Sequence, residues 1–90
     1  MLKVTADAAQ LARTLTHQGA ARQHGGLRIV MNPDTNSLSM GIAHAPERSD
    51  AVIARDGALL FLSGPAAERL DGRTLCAEIT TTRSVFFLQG

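Results

Sequence analysis

Gly26-Leu27-Arg28-Ile29-Val30-Met31-Asn32-Pro33-Asp34-Thr35-Asn36-Ser37-Leu38-Ser39-Met40-Gly41-Ile42 is the stretch on which the fold class turns. Leu27, Ile29 and Met31 alternate with Arg28 and Val30, and Leu38, Met40 and Ile42 alternate with Ser37, Ser39 and Gly41. A period of two sends one set to each face of an extended strand. Between the two runs, residues 32–36 are turn formers throughout: amide and carboxylate side chains that bond nearby backbone, and a proline with fixed φ. The pattern predicts a β-hairpin with a longish loop.

Upstream, Thr5 can cap a helix, Asp7 sits where the helix dipole favours negative charge, and Ala8, Leu11, Ala12 and Leu15 share one face. This predicts an amphipathic helix over 6–18 with Gly19 as its stop. Downstream, residues 45–50 form a polar connector. Two short strands follow at 51–54 and 58–62, joined by Arg55-Asp56-Gly57, whose Asp-Gly pair is a strong hairpin signal. Ser63-Gly64-Pro65 opens a short helix with Ala66, Ala67 and Leu70 inside, ended by Asp71-Gly72. Leu75, Ala77 and Ile79 alternate with Cys76, Glu78 and Thr80 in a half-buried strand, and 84–88 closes the chain as another. Val85-Phe86-Phe87-Leu88 is apolar on both faces, so it must lie centrally or at an edge that a partner covers. The expected architecture is mainly β (α+β), with two packed, mostly antiparallel sheets, an N-terminal helix and one short helix.

Composition bounds the rest. Ninety residues are expected to form one domain, 1–90. Forty residues are hydrophobic but fourteen of those are alanine, leaving 26 for most of the core volume. That content excludes disorder, and the longest apolar run, Ala58–Leu62, is far too short to span a membrane. A net charge of +1 lacks the basic excess of a nucleic-acid binder. Cys76 is the only cysteine, so no internal disulfide, CxxC pair or Cys-type zinc site can form. With no disulfide and no export leader before the helix, a cytoplasmic location is expected.

No motif of enzyme chemistry appears. His17, His24 and His44 are scattered without ligand or triad spacing and read as solvent-exposed; Ser63 reads as a helix cap rather than a nucleophile. Glu47 with Asp50, and Glu68 with Asp71, read as solvated charges. Arg13, Arg22, His24 and Arg28 could make a modest positive strip, but with no aromatics for base stacking. Cys76 reads first as a small buried hydrophobe, and second as a candidate metal ligand whose thiolate is shared across a dimer.

Taken in order, these segments resemble the HesB-like family, the A-type iron–sulfur carriers. The likeness runs through the N-terminal helix, Gly26-Leu27-Arg28-Ile29, the acidic Pro-containing connector 45–50, the strand–Asp-Gly–strand 52–62, Leu70-Asp71-Gly72-Arg73-Thr74-Leu75, and the apolar 85–88, covering about residues 2–88. It implies a folded pseudo-barrel and a link to iron–sulfur cluster assembly. The family holds iron or a cluster with three cysteines: one in the loop after the G-L-R strand and two in a C-terminal Cys-x-Cys. Here the loop reads Asn32-Pro33-Asp34-Thr35-Asn36-Ser37, and the chain reaches Gly90 where the second motif would begin. None of the family's ligands carries over, and a cluster needs about four, mostly thiolates.

Three readings follow. The first is a non-enzymatic protein related to cluster assembly that acts through protein contacts, with no cofactor of its own. The second is an atypical carrier using Cys76, with histidines from two chains, to hold iron. The third is a structural or oligomeric module unrelated to iron. Assembly or recipient proteins are the expected partners, with self-association under all three and neither nucleic acid nor membrane involved.

Overall fold

A computed structural model describes residues 1–18 and 25–90. The elements run β1 (Lys3–Val4), α1 (Ala6–Gln18), β2 (Gly26–Asn32), β3 (Ser37–Ala43), β4 (Ala51–Arg55), β5 (Ala58–Leu62), α2 (Gly64–Arg69), β6 (Thr74–Ile79) and β7 (Ser84–Gln89). The predicted helices and hairpins are found with nearly the expected bounds. The proposed stop at Gly19, and Arg22 and His24, lie outside the described residues.

The strands form a four-stranded sheet ordered β3-β2-β5-β4 and a three-stranded sheet ordered β1-β6-β7. The three hairpin pairings are antiparallel, as expected. Two parallel pairings, β2 with β5 and β1 with β6, make both sheets mixed. They arise because each joins strands distant in sequence. The Leu2-Lys3-Val4 segment is too short for periodicity to mark it as a strand; its backbone is recruited by β6, with Lys3 N donating to Arg73 O and Thr5 N to Leu75 O.

One apolar cluster lies between the layers. It takes Ala8, Ala9, Leu11 and Ala12 from α1, Leu27 and Ile29 from β2, Ala58, Leu60 and Leu62 from β5, Ala66 and Leu70 from and beside α2, and Leu75 and Ala77 from β6. Alanines on α1 let that helix approach closely, which is how so alanine-rich a chain fills its interior. Thr5 Oγ1 accepts from Ala8 N at 3.1 Å and Ser63 Oγ from Ala66 N at 3.3 Å, so both helix starts are capped as predicted. Asp56 and Gly57, at φ 49° and 81°, form the tight turn between β4 and β5. The Arg55 guanidinium donates to Val4 O and ties one sheet to the other.

One expectation needs correction. Ile79 shares a face with Leu75 and Ala77 but is 42% exposed, because it lies at the hairpin end opposite Ser84. Of the two positions open to Val85–Leu88, the structure has the edge: β7 ends its sheet, with Phe86 and Leu88 packed on the core and Phe87 42% exposed.

Gly26 is where β2 and β5 come closest. A Cβ there would sit 2.5 Å from the Leu59 carbonyl oxygen, against backbone that cannot swing aside. Gly26→Ala is therefore expected to lower stability by about 1–3 kcal/mol. Gly64→Ala, where a Cβ meets nothing within 4 Å, is the matched control and should leave urea unfolding almost unchanged.

Candidate functional site

The hairpin turn between β2 and β3 lies where the resemblance to HesB-like proteins would place a cysteine ligand. Asn32 governs it: its side-chain oxygen accepts from Asp34 N at 2.9 Å and its carbonyl from Asn36 N at 2.8 Å. Thr35 Oγ1 and Ser37 Oγ lie 2.7 Å apart in a hydrogen bond, and Asn36 takes φ 58°, a left-handed conformation asparagine tolerates. The turn is exposed and its side chains are amide, hydroxyl and one carboxylate. Asn32 Oδ1 already serves the turn's own backbone and the two hydroxyls bond each other, and none of these oxygens is a soft ligand of the kind iron–sulfur clusters take.

Cys76 stands on the other sheet. The register pairs it with Phe87, on the β6 face opposite Leu75 and Ala77. It is free, 6% exposed, and its Sγ donates to Thr74 O at 3.8 Å. This burial supports the reading of a small packed hydrophobe. His17, on the last turn of α1, and His44, in the connector, are exposed. Among the described residues no three of His, Cys, Asp and Glu come together as a metal-holding group.

The structure does assemble one charged cluster, from two segments that carried the family resemblance. Arg28, on the outward face of β2, donates from Nε to Asp50 Oδ2 and from Nη2 to Asp50 Oδ1, each at 2.9 Å, a two-pronged pairing. Its Nη2 also donates to Glu47, and Asp50 Oδ2 accepts from Glu47 N. The Asp50 side chain is 1% exposed and that of Arg28 is 23%. Glu47 and Asp50 are thus not simply solvated charges; they draw the 44–50 connector onto the outer face of the sheet. The same pairing takes Arg28 out of any positive strip, while Arg13 donates to Asp56 O.

On that outer face Phe61 is 1% exposed, flanked in register by Arg28 and Val52. The hydrogen bonds donated by Arg28 hold the Asp50 carboxyl below its ordinary range, and the same bonds raise the already high Arg28 value. Elsewhere, the N-terminal ammonium of Met1 lowers the Asp71 carboxyl. The sequence alone pairs Glu47 with Asp50 as solvated charges of one loop and leaves Arg28 unconnected with them. The signal that could have joined them was an arginine at an outward strand position followed by an acidic, proline-containing loop.

No protein-family model matches the chain, and no curated protein sequence matches it. Solved structures do. The crystal structure of Escherichia coli SufA, involved in biosynthesis of iron–sulfur clusters, matches 98% of this chain and 83% of its own with TM-score 0.80 and 20% identity. That of IscA with the [2Fe-2S] cluster matches 99% of this chain and 81% of its own with TM-score 0.67, again at 20% identity. The fold is therefore the one SufA and IscA have, as the resemblance implied. No described helix is long and apolar enough to cross a membrane.

The Arg28–Asp50 pairing fixes a pH dependence. Because the folded carboxyl titrates below its unfolded value, its contribution is complete above the unfolded value and is lost as pH falls through the folded one. Urea midpoints of the natural chain and Asp50→Asn should differ fully near pH 7 and begin to converge only as pH falls below about 4.

Proposed function

We propose that residues 1–90 form a single HesB-like domain related to iron–sulfur assembly, which acts through protein contacts and carries no cluster on its own side chains. It is a non-enzymatic protein whose partners are assembly or recipient proteins. The observation that carries this reading is the turn at 32–37. On a fold shared with SufA and IscA, the segment has oxygen and amide groups committed to holding its own shape. The cluster, as cargo, calls for about four ligands, mostly thiolates. The residues in hand offer one thiol, on the other sheet and 6% exposed. They do not fit the cargo.

What remains is a carrier-type shape with its outer face closed by Arg28, Glu47 and Asp50 and with apolar side chains left exposed. Met40, Ile42, Val52, Ile79 and Phe87 are each between 39% and 48% open to solvent. Exposed apolar groups of this kind suit contact with other proteins better than chemistry.

Anaerobic reconstitution with iron and sulfide, followed by gel filtration, tests the reading. A colourless, iron-free, folded product is expected. A stable brown species lost in Cys76→Ala would instead support an atypical carrier that shares Cys76 across a dimer. Proximity labelling in cells should enrich iron–sulfur assembly or recipient proteins. Enrichment of proteins unconnected with clusters would favour a structural module.

A further inference from the structure

β7 is apolar on both faces and lies at the end of its sheet. It pairs with β6 on one side, and on the other its backbone has no partner among the described residues. Phe86 and Leu88 pack on the core, while Val85 and Phe87 lie on the opposite face, where Phe87 is exposed. Edge strands are normally blunted by charge, proline, shortness or a cover. Ser84–Gln89 has six residues with no charge and no proline. A strand apolar on both faces belongs inside a sheet, with a neighbour on each side. β7 has the sequence of such a strand and one neighbour.

Both ends of this edge are cationic. Arg83 immediately precedes the strand in its turn. At the far end the Arg73 side chain reaches over the chain, since a Cβ on Gly90 would lie 3.0 Å from Arg73 Nε. Neither arginine makes an ion pair among the described residues. The six residues between them span about 20 Å at the rise of an extended strand. The other charged residues of this sheet, Lys3 and Glu78, stand on β1 and β6, away from the free edge. Glu78 is paired in register with Val85, one strand in, and makes no ion pair with Arg83.

We propose that the β7 edge takes an extended segment of a partner protein as a further strand, one with apolar side chains on both faces and a carboxylate at each end. Strand addition of this kind draws affinity from main-chain hydrogen bonds and selectivity from alternate side chains. The added strand continues the core layer beside Phe86 and Leu88 on one face and covers Val85 and Phe87 on the other. Its terminal carboxylates meet Arg83 and Arg73, and the same arginines repel a segment that carries lysines there. A second copy of this chain fits poorly. Laid antiparallel on the edge about a two-fold axis, it sets Arg83 of each protomer against Arg73 of the other, two contacts between like charges. The edge so assigned deepens, and rests on, the proposed action through protein contacts.

A capped synthetic peptide of valine and threonine, as long as β7 and ended in glutamates, is the probe, with the same peptide ended in lysines beside it. Backbone amides followed by NMR give the readout. The glutamate-ended peptide is expected to shift the amides of 84–89 and to slow hydrogen exchange along β7, while those of 37–43 on the other sheet stay in place. Reversing both charges, Arg73→Glu with Arg83→Glu, should weaken its binding about tenfold or more and admit the lysine-ended peptide. Both side chains lie outside the apolar cluster, so the far-UV spectrum and urea midpoint should hold. No binding of the glutamate-ended peptide, equal binding of the two, shifts centred on 37–43, or a charge-reversed protein that keeps the natural preference each overturns the proposal. So does slowed exchange at 84–89 that grows with protein concentration and needs no peptide, which makes a second copy the occupant. Proximity labelling reports separately on the protein-contact reading: assembly or recipient proteins recovered without any peptide binding leave that reading in place and remove this edge from it.

Discussion

The parallel seam between β2 and β5 is the constraint on which this structure depends. It fuses two independent hairpins, β2–β3 and β4–β5, into one sheet, with Leu27 beside Leu60 and Ile29 beside Leu62. That sheet supplies the wall against which α1 and α2 bury their apolar faces. The seam tolerates no side chain at Gly26, where Leu59 crosses at the distance of a hard contact. Ser63 N then donates to Ile29 O at 3.1 Å, so the start of α2 is also set from β2. Parallel pairing of segments some thirty residues apart brings loop-closure entropy that local hairpins avoid. The residues at the seam are accordingly among the least exposed in the chain: Ile29 and Leu60 at 0%, and Leu62 at 1%.

The outer face of the seam is closed by different chemistry. Arg28 lies opposite Phe61 across the seam, and its guanidinium is gripped by Asp50 on the connector that leads into β4. One residue thus links β2 to β4 across the strand between them. A charged pair with two matched hydrogen bonds and one nearly inaccessible carboxylate resists water better than an exposed one. The cluster explains why an arginine sits in an otherwise apolar strand without invoking a ligand for it.

Local patterns were legible in the sequence, and long-range assembly was less so. The helix at 6–18, the caps at Thr5 and Ser63 and the three hairpins follow from spacing and turn chemistry, all of which act over a few residues. The parallel pairings were not readable, because nothing in Leu2-Lys3-Val4 or Leu27-Arg28-Ile29 names a strand elsewhere in the chain. Ile79 was misplaced because alternation shows which face a residue shares, not whether another layer covers it. The same gap hid the exposure of Met40 and Ile42. For the candidate site, the absence of cysteine from the 32–37 turn was plain, but the pairing of Arg28 with Glu47 and Asp50 spans about twenty residues and needed the fold.

On a fold shared with SufA and IscA, the hairpin turn at 32–37 is held by its own hydrogen bonds, and we propose that it takes no cluster. The most direct measurement is a residue-resolved NMR spectrum of the protein before and after ferrous iron and sulfide are added without oxygen. The account predicts that amide signals from the 32–37 turn and from 75–77 keep their positions and intensities. Their selective loss through paramagnetic broadening, centred on either segment, would contradict it.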